Sequence, residues 1–209
     1  MHDSARMVNL GFDATPYPAN TRMCFIFNDD DERRRVLAQF TRTGLADHEQ
    51  VSYFVDTLPP EELKQVMREL GAELPDELEG QQYVFEDAGK VYCPDGCFKV
   101  QRMIDTLAGC YHRSQRDGYA GSRLTGEMSW ALKGYPGSED LVEYEARINL
   151  LLREVPSTII CQYDARLFDG ATLYGILSVH PMMIVHGQVV RNPYYIEPEV
   201  FLAGRHLHA

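Results

Sequence analysis

Short apolar runs alternate with segments of helical periodicity along most of the chain. Runs of roughly four to eight residues, rich in β-branched and aromatic side chains, are typical of buried strands. They predict strands at Thr21–Phe27, Val51–Val55 and Thr158–Tyr163, with the last strands near residues 182–190. Apolar spacing and terminal signals predict helices at about 28–43, 59–70, 98–115, 138–152 and 169–179. This alternation predicts a three-layer α/β fold with a mainly parallel central sheet and helices on both faces.

The remaining segments carry turn residues or weak periodicity. They predict an irregular N-terminal segment over 1–20, an acidic loop over 73–80, a short strand and its return over 82–85 and 90–92, a strand leading into a loop over 120–133, and a C-terminal tail over 197–209. We find no linker or repeat that would divide the 209 residues. The length therefore predicts a single domain over 1–209.

The balance of charge is acidic. The chain has 20 basic and 31 acidic residues, a formal net charge of −11. A surface that binds nucleic acid needs clustered Lys and Arg to neutralise phosphates. The dense basic cluster Arg33–Arg35 directly follows the acidic residues 29–32, so the two largely cancel. The composition predicts no direct binding to nucleic acid.

The chain shows no sign of membrane insertion or export. No apolar run reaches the roughly 18 residues that span a bilayer. The first residues lack the basic region and apolar stretch of a secretory signal. We therefore predict no membrane association and a cytoplasmic location. The five cysteines are an odd number without an export signal, so we expect free thiols.

Nucleotide binding is the first chemistry to test in an alternating α/β chain. A P-loop has the pattern GxxxxGK[ST], in which backbone amides and the Lys hold phosphates. The closest string, residues 121–128, has Glu127 at the Lys position. After the first predicted strand the chain carries Asp29–Glu32, whose carboxylates oppose an anion, and GxGxxG does not occur. We predict that no nucleotide or other cofactor is bound.

The cysteines and histidines offer two further chemistries. Cys93 and Cys97 form a CxxxC pair without a second Cys/His pair, and Pro-Asp-Gly between them is ordinary turn chemistry, so we predict no metal site. A redox disulfide between these two cysteines stays open. Cys161 and His180 both lie near ends of predicted strands, where a thiol nucleophile and a base would meet. The alternative is that Cys161 is a buried, inert side chain.

The segment from Arg123 to Trp130 brings an Arg, Glu127 and the single Trp of the chain close together. Such residues at a strand end suit a pocket with an apolar wall and a polar anchor. The alternative is that Trp130 anchors the core while Arg123 and Glu127 form a surface pair. The segment alone leaves both interpretations open.

Several segments form an ordered set of motifs across about residues 8–196. They are Gly11–Asp13 with Pro18, Arg22–Phe27, Arg123–Trp130, Tyr144–Asn149, Ile160–Tyr163 and His180–Pro181. Together they resemble the MEDS family, a sensory domain named for methanogens, methylotrophs and the dichloromethane-responsive repressor. The resemblance implies a RecA-like or KaiC-like fold without a functional P-loop. It also implies sensing of simple hydrocarbon derivatives for a transcription regulator or a histidine kinase.

The family's usual first-strand His is replaced here by Arg22, while Cys24 is retained. Arg22 would offer a fixed positive charge that favours a carboxylate or another anion. We expect a ligand pocket at the carboxyl ends of the parallel strands, where open α/β sheets generally bind ligands. The predicted lining residues are Arg22, Cys24, Arg123, Glu127, Trp130, Cys161, Tyr163 and His180.

Three functions are compatible with these residues. The leading hypothesis is a non-catalytic regulatory domain that binds a small molecule and signals to a separate protein partner or through a homo-oligomer. The second is an interaction module without a ligand, derived from a RecA-like domain, whose pocket is filled by its own side chains. The third is a thiol-dependent enzyme that uses Cys161 and His180.

Overall fold

The computed structural model of the chain describes residues 6–74 and 82–205. The strands are β1 (Met7–Val8), β2 (Tyr17–Pro18), β3 (Arg22–Phe27), β4 (Gln50–Val55), β5 (Tyr83–Asp87), β6 (Ser122–Glu127), β7 (Thr158–Asp164), β8 (Met182–Val185) and β9 (Gln188–Arg191). The α-helices are α1 (Asp30–Ala46), α2 (Pro60–Glu69), α3 (Ala88–Tyr92), α4 (Val100–Arg116), α5 (Leu141–Leu151), α6 (Gly170–Ser178) and α7 (Pro198–Arg205). Short 3-10 helices lie at Met128–Lys133 and Ser138–Asp140.

Strands β3 to β9 form one sheet in the order β5-β4-β6-β7-β3-β8-β9 across the described residues. Neighbouring strands run parallel except β8 and β9, which form an antiparallel hairpin at one edge. Helices α1 and α2 pack on one face of the sheet, and α4, α5 and α6 pack on the other. The predicted three-layer, mainly parallel α/β fold is confirmed.

Strand β3 lies inside the sheet and is covered on both faces. Its side chains alternate between the faces, so Met23 and Phe25 pack with α1 while Arg22 and Cys24 point toward α5 and α6. A strand covered on both sides reads as a nearly continuous apolar run. The polar Arg22 within this run is therefore carried into the interior by its position in the strand.

Three segments differ from the sequence prediction. Within the expected irregular segment 1–20, β1 and β2 form a short antiparallel pair. Residues 90–92 belong to α3 and not to a returning strand, because the Asp87 carboxylate accepts from the Lys90 amide at 2.9 Å and begins a helix there. The expected C-terminal tail contains α7, which packs against α5.

The acidic loop predicted over residues 73–80 lies almost entirely outside the described residues. Within 6–74 and 82–205, the helices are too short or too polar to cross a membrane.

Gly126 marks a close approach between β6 and α3. A Cβ atom at this position would collide with the Tyr92 hydroxyl, which lies 3.7 Å from the Met128 sulfur. Tyr92 is 3% exposed, and its ring stacks on Trp130 with centroids 4.6 Å apart, so it has little room to shift. The glycine is needed here for space and not for a special backbone angle.

We expect Gly126→Ala to lower the free energy of unfolding by about 1–3 kcal/mol, the usual result of overpacking a core. Gly109→Ala is the matched control, because Gly109 lies inside α4 with open space around its Cα. The control should raise stability by about 0.5–1 kcal/mol through helix propensity. Urea denaturation of both variants measures the difference. Equal effects would contradict the packing described for Tyr92.

Candidate functional site

A group of buried polar side chains lies between the sheet and helices α5 and α6. We call it the Arg22 cluster; its members are Arg22, Glu145, Cys161, Tyr163 and His180. They come from β3, α5, β7 and the connection between α6 and β8. Each is at most 4% exposed. The fold thus brings together four of the eight predicted site residues and adds Glu145.

The Arg22 guanidinium is the centre of this cluster. Its Nη2 forms an ion pair with Glu145, and its Nη1 donates to the backbone oxygens of Glu145 at 2.6 Å and Val179 at 3.1 Å. Burying an ion pair is tolerated when the geometry is good and the other donors are satisfied. The charge of Arg22 is therefore already balanced by Glu145. An anionic ligand, which the sequence favoured, gains no free cation here.

His180 is fixed as a neutral acceptor. Its Nδ1 lies 2.8 Å from the Ile176 oxygen, so Nδ1 carries the proton and donates to that carbonyl. Its Nε2 then accepts from Arg22 Nη2 at 3.0 Å. Burial lowers the pKa of His180, and the charge of Arg22 lowers it further. The Asn192 amide donates to the His180 oxygen at 2.8 Å and holds the backbone in place.

Glu145, Cys161 and His180 also form a set of metal-type ligand atoms. One atom from each lies within 4.8 Å of the others. Arg22 Nη2 contacts both Glu145 and His180 Nε2, so a guanidinium cation already stands where an ion would have to bind. The Glu145 carboxylate and His180 Nε2 therefore already have a cationic partner. The three residues do not fit a metal ion while Arg22 is in place.

The two thiols nearest the cluster are adjacent across the sheet. Cys24 of β3 is the register partner of Cys161 of β7, and the Cys24 thiol faces the Met182 oxygen at 3.8 Å. Burial raises the pKa of Cys24 to about 12 and raises that of Cys161 well above its ordinary value. Thiols of this kind are poor nucleophiles at neutral pH.

Several polar atoms of the cluster lack hydrogen bonds. Among the described residues, Glu145 Oε1, Tyr163 Oη and Arg22 Nε are buried and make no hydrogen bond within 3.5 Å, although the neighbouring Tyr163 hydroxyl lowers the pKa of Glu145. Such atoms are uncommon in protein interiors and are often satisfied by water or a ligand. The cluster therefore has spare hydrogen-bonding capacity.

Trp130 lies in an aromatic core and not on the wall of an open pocket. It is 0% exposed and packs on Tyr92, on Phe98 at 4.7 Å between centroids, and near Tyr144, which meets Phe98 edge-on. This arrangement corresponds to the second interpretation of the sequence, in which Trp130 anchors the core.

Arg123 and Glu127 lie on the opposite face of the sheet from the Arg22 cluster. Arg123 begins β6 and pairs with Glu49, while its Nη2 donates to the Asn9 oxygen at 2.7 Å. Glu127 ends β6 and pairs with Arg33 at 2.7 Å. The alternative in which Arg123 and Glu127 form a surface pair is wrong, because both side chains are buried and the residues stand at opposite ends of one strand.

Glu127 closes the carboxyl end of the sheet. Its carboxylate accepts from the backbone amides of Asp56 at 2.8 Å and Thr57 at 2.7 Å, and from the Tyr53 hydroxyl at 3.1 Å. Together with Arg33 these donors use both carboxylate oxygens. Glu127 is therefore an internal clamp between β6, α1 and the loop after β4.

Two residues central to these contacts, Glu145 and Arg33, are absent from the predicted lining set. Glu145 lies inside the motif Tyr144–Asn149 that supported the resemblance, and it stands between the buried residues Tyr144 and Ala146 of the helix. That pattern signals a paired buried charge. Arg33 gave no comparable signal, since a run of three arginines after four acids is typical of a solvated helix start.

Comparison with known proteins identifies the family of the chain. A profile described as "MEDS: MEthanogen/methylotroph, DcmR Sensory domain" matches residues 23–181. The chain belongs to the MEDS family. A curated relative of this MEDS chain is the transcriptional repressor DcmR of Methylorubrum extorquens, strain DM4, 32% identical over 79 residues. The matched part is 37% of this chain and 30% of the repressor.

Solved structures show the same fold at low identity. A KaiC-like protein from Pyrococcus horikoshii OT3 has a TM-score of 0.60 and 17% identity, covering 86% of the MEDS chain and 79% of its own. The flagellar accessory protein FlaH from Methanocaldococcus jannaschii has a TM-score of 0.60 and 13% identity, covering 93% and 90%. The MEDS chain therefore has a KaiC-like, RecA-like fold.

We expect Arg22→Met to lower the free energy of unfolding at pH 7 by about 3–5 kcal/mol, because it leaves Glu145 buried and unpaired. Arg166→Met is the control, because Arg166 is about half exposed and pairs with Asp164 and Asp30 at the surface. The control should cost less than about 1 kcal/mol.

The loss should depend on pH. Burial tends to raise the pKa of Glu145, but the charge of Arg22 together with the neighbouring His180 and Tyr163 outweighs burial and holds the pKa at about 2, below the ordinary 4.5. The ionised carboxylate therefore stabilises the wild type above pH 4.5, and this contribution is lost as the pH falls toward 2. The difference in free energy of unfolding between wild type and Arg22→Met should become smaller from pH 7 to pH 3, as measured by urea denaturation. A constant gap would show that the ion pair contributes nothing specific.

Proposed function

We propose that this MEDS domain is a non-catalytic sensor that binds a small molecule and passes the signal to a separate regulatory protein. The observation that carries the proposal is the Arg22 cluster, in which one guanidinium joins β3, α5 and the end of α6. Membership of a sensory family and the relation to a transcriptional repressor support a regulatory role. The ligand class we infer is that of simple hydrocarbon derivatives.

The cluster is suited to transmit a change in the sheet to the surface. Arg22 and Glu145 tie β3 to α5, and α5 in turn packs against α4, α6 and α7. The spare atoms Glu145 Oε1 and Tyr163 Oη give the cluster a second possible set of hydrogen bonds. A ligand shifts such an equilibrium only through different affinities for two states. We infer that output occurs at a protein partner, a transcription regulator or a histidine kinase, or by self-association.

The carboxyl end of β3 supports loss of nucleotide binding. Nucleotide phosphates in P-loop proteins bind backbone amides at a helix start. Here the Asp29 carboxylate caps α1 by accepting from the amides of Asp31 at 2.8 Å and Glu32 at 3.1 Å. The Arg33–Glu127 pair fills the space above the neighbouring strand ends. We infer that the Asp29 carboxylate takes the place that a phosphate group would occupy at the start of α1.

A second candidate function is a ligand-free interaction module. It is favoured by the aromatic packing around Trp130 and by the low exposure of the predicted lining residues. Exposed apolar side chains lie at Tyr174, Tyr194 and Val200. A stable complex without a small molecule is the mark of this alternative.

Native mass spectrometry of the purified protein, followed by denaturation, tests the proposal. We expect a stoichiometric small molecule that is released on unfolding. Protein that has been stripped by denaturation and refolded should lack this mass and regain it when the released compound is added back. A clean apo mass in a stable homomer would contradict the sensor and support the interaction module.

The proposal that the domain is not a thiol enzyme has its own test. At pH 8, iodoacetamide should modify Cys97, which is partly exposed, and spare Cys161, whose burial raises its thiol pKa. After unfolding in urea, both cysteines should react alike. Peptide mass spectrometry gives the modified fraction of each. Faster reaction of Cys161 than of Cys97 in folded protein would favour the thiol enzyme, since a catalytic cysteine is an accessible thiolate.

A further inference from the structure

Strands β3 and β8 separate toward their carboxyl ends. Within the described residues they pair only at Met23 with Met182 and at Cys24 with Met183. Beyond this point β3 continues to pair with β7 as far as Phe27, and β8 continues to pair with β9 as far as Val185. Strand β3 stays paired with β7 and β8 stays paired with β9, so a gap opens between β3 and β8.

The gap is a small cavity that we call the slot. Its volume is about 140 Å³. It is lined by Cys24, Phe25, Ile26, Phe27, Asn28, Glu32, Met183, Ile184, Val185 and His186. Most of these side chains are apolar, and Cys24 forms its inner end beside the Arg22 cluster. An apolar cavity of about 150 Å³ is large enough to bind benzene or xenon.

A second, wider cavity of about 440 Å³ lies outside the slot. It is lined by Phe12, Asp29, Glu32, Arg35, Val36, Gln39, His186 and Gly187. Glu32 and His186 line both cavities, so they stand at the passage from one to the other. Oε1 of Glu32 is buried and has no hydrogen-bond partner among the described residues. Charged and polar side chains predominate around the wider cavity, and apolar side chains predominate around the slot.

The passage is shaped by a tight hairpin. His186 and Gly187 have φ values of 48° and 69°, and they connect β8 to β9 between the paired residues Val185 and Gln188. Two positive φ angles define a type I′ turn, in which Asn or Gly is usual at the first position. His186 is therefore held in a costly conformation at the rim.

We propose that the slot between β3 and β8 is the ligand site of this sensor, that it takes a small uncharged apolar molecule, and that Glu32 and His186 form its gate. The inference rests on the proposed function and gives it a location. The inner end of the slot lies at the buried Cys24 of β3, two residues from Arg22 and directly beside Cys161 in the sheet. Widening the gap at Cys24 moves the strand that carries the Arg22 guanidinium.

The gate selects against anions. Asp29 and Glu32 place two carboxylates on the path beside the single guanidinium of Arg35, and neither Lys nor Arg is found among the slot residues in the described part of the chain. A charged group that entered the slot would lose its hydration without gaining a partner. This selection is the reverse of that expected from Arg22 as a free cation.

The test uses benzene as the probe and protein labelled with 13C at the methionine methyl groups. Benzene should shift the Met183 methyl resonance saturably, because Met183 lines the slot. The Met103 methyl on α4 is the internal control and should stay unchanged. A folded protein whose Met183 resonance is unaffected by benzene would overturn the proposal.

Filling the slot should abolish binding. Cys24→Leu adds bulk at the inner end and should weaken benzene binding at least about tenfold. Cys110→Leu adds the same bulk to α4, away from the slot, and should leave the affinity unchanged. Should Cys24→Leu fail to fold, Ile26→Trp fills the slot from its half-buried rim. Undiminished benzene binding in a folded filled variant would overturn the proposal.

The selection against anions at the gate is tested by comparing a charged ligand with an uncharged one. Benzoate carries the same ring with a carboxylate and should bind at least about tenfold more weakly than benzene. Glu32→Gln should narrow this difference, while Glu62→Gln, an exposed site on α2, should leave it unchanged. Equal affinities for benzene and benzoate in the wild type would overturn the gate.

The outcomes separate the slot from the proposed function. A compound released in native mass spectrometry that leaves the Met183 resonance unchanged when added back would preserve the sensor and overturn the slot. If benzene binds in the slot but native mass spectrometry shows a homomer without a ligand, the slot is supported as a binding site and the proposed sensor function is contradicted.

Discussion

The buried ion pair between Arg22 and Glu145 is the contact on which the polar interior of the domain depends. Two opposite charges are removed from water at the junction of a central strand and α5, and each compensates the hydration that the other has lost. The pair also orients His180, which is neutral and fixed by the Ile176 carbonyl. A strand, two helices and a buried imidazole are therefore coupled through one guanidinium.

Arg–Glu pairs act in a similar way on the other face of the sheet. Arg123 with Glu49 fastens the amino end of β6, and Arg33 with Glu127 fastens its carboxyl end. Arg123 also donates to the Phe40 oxygen of α1 at 3.0 Å. Helix α1 is thus anchored near both of its ends by charged contacts. Within the described part of the seven-stranded sheet, β3 and β8 are the neighbours that share the fewest register pairs.

The fold was largely predictable because burial on two faces leaves apolar runs such as Thr21–Phe27 in the sequence. Membership of the family was predictable from ordered motifs. The partners of buried charges were not predictable, because Arg22–Glu145 and Arg33–Glu127 join residues far apart in the chain. The direction of each side chain also determined which predicted site residues meet. Strand alternation places Glu127 on the opposite face of the sheet from the Arg22 cluster, although the prediction put both in one pocket. Strand separation leaves no pattern in composition or periodicity.

The cap on α1 has a thermodynamic consequence. In a phosphate-binding relative of this fold the occupant completes the first helical turn, so folding and occupancy are linked. Here Asp29 completes that turn from within the chain. The first turn of α1 is therefore complete without a ligand. Under the proposed function, binding free energy is then available for displacing β3 against β8, so that a few contacts with a small molecule produce a mechanical change.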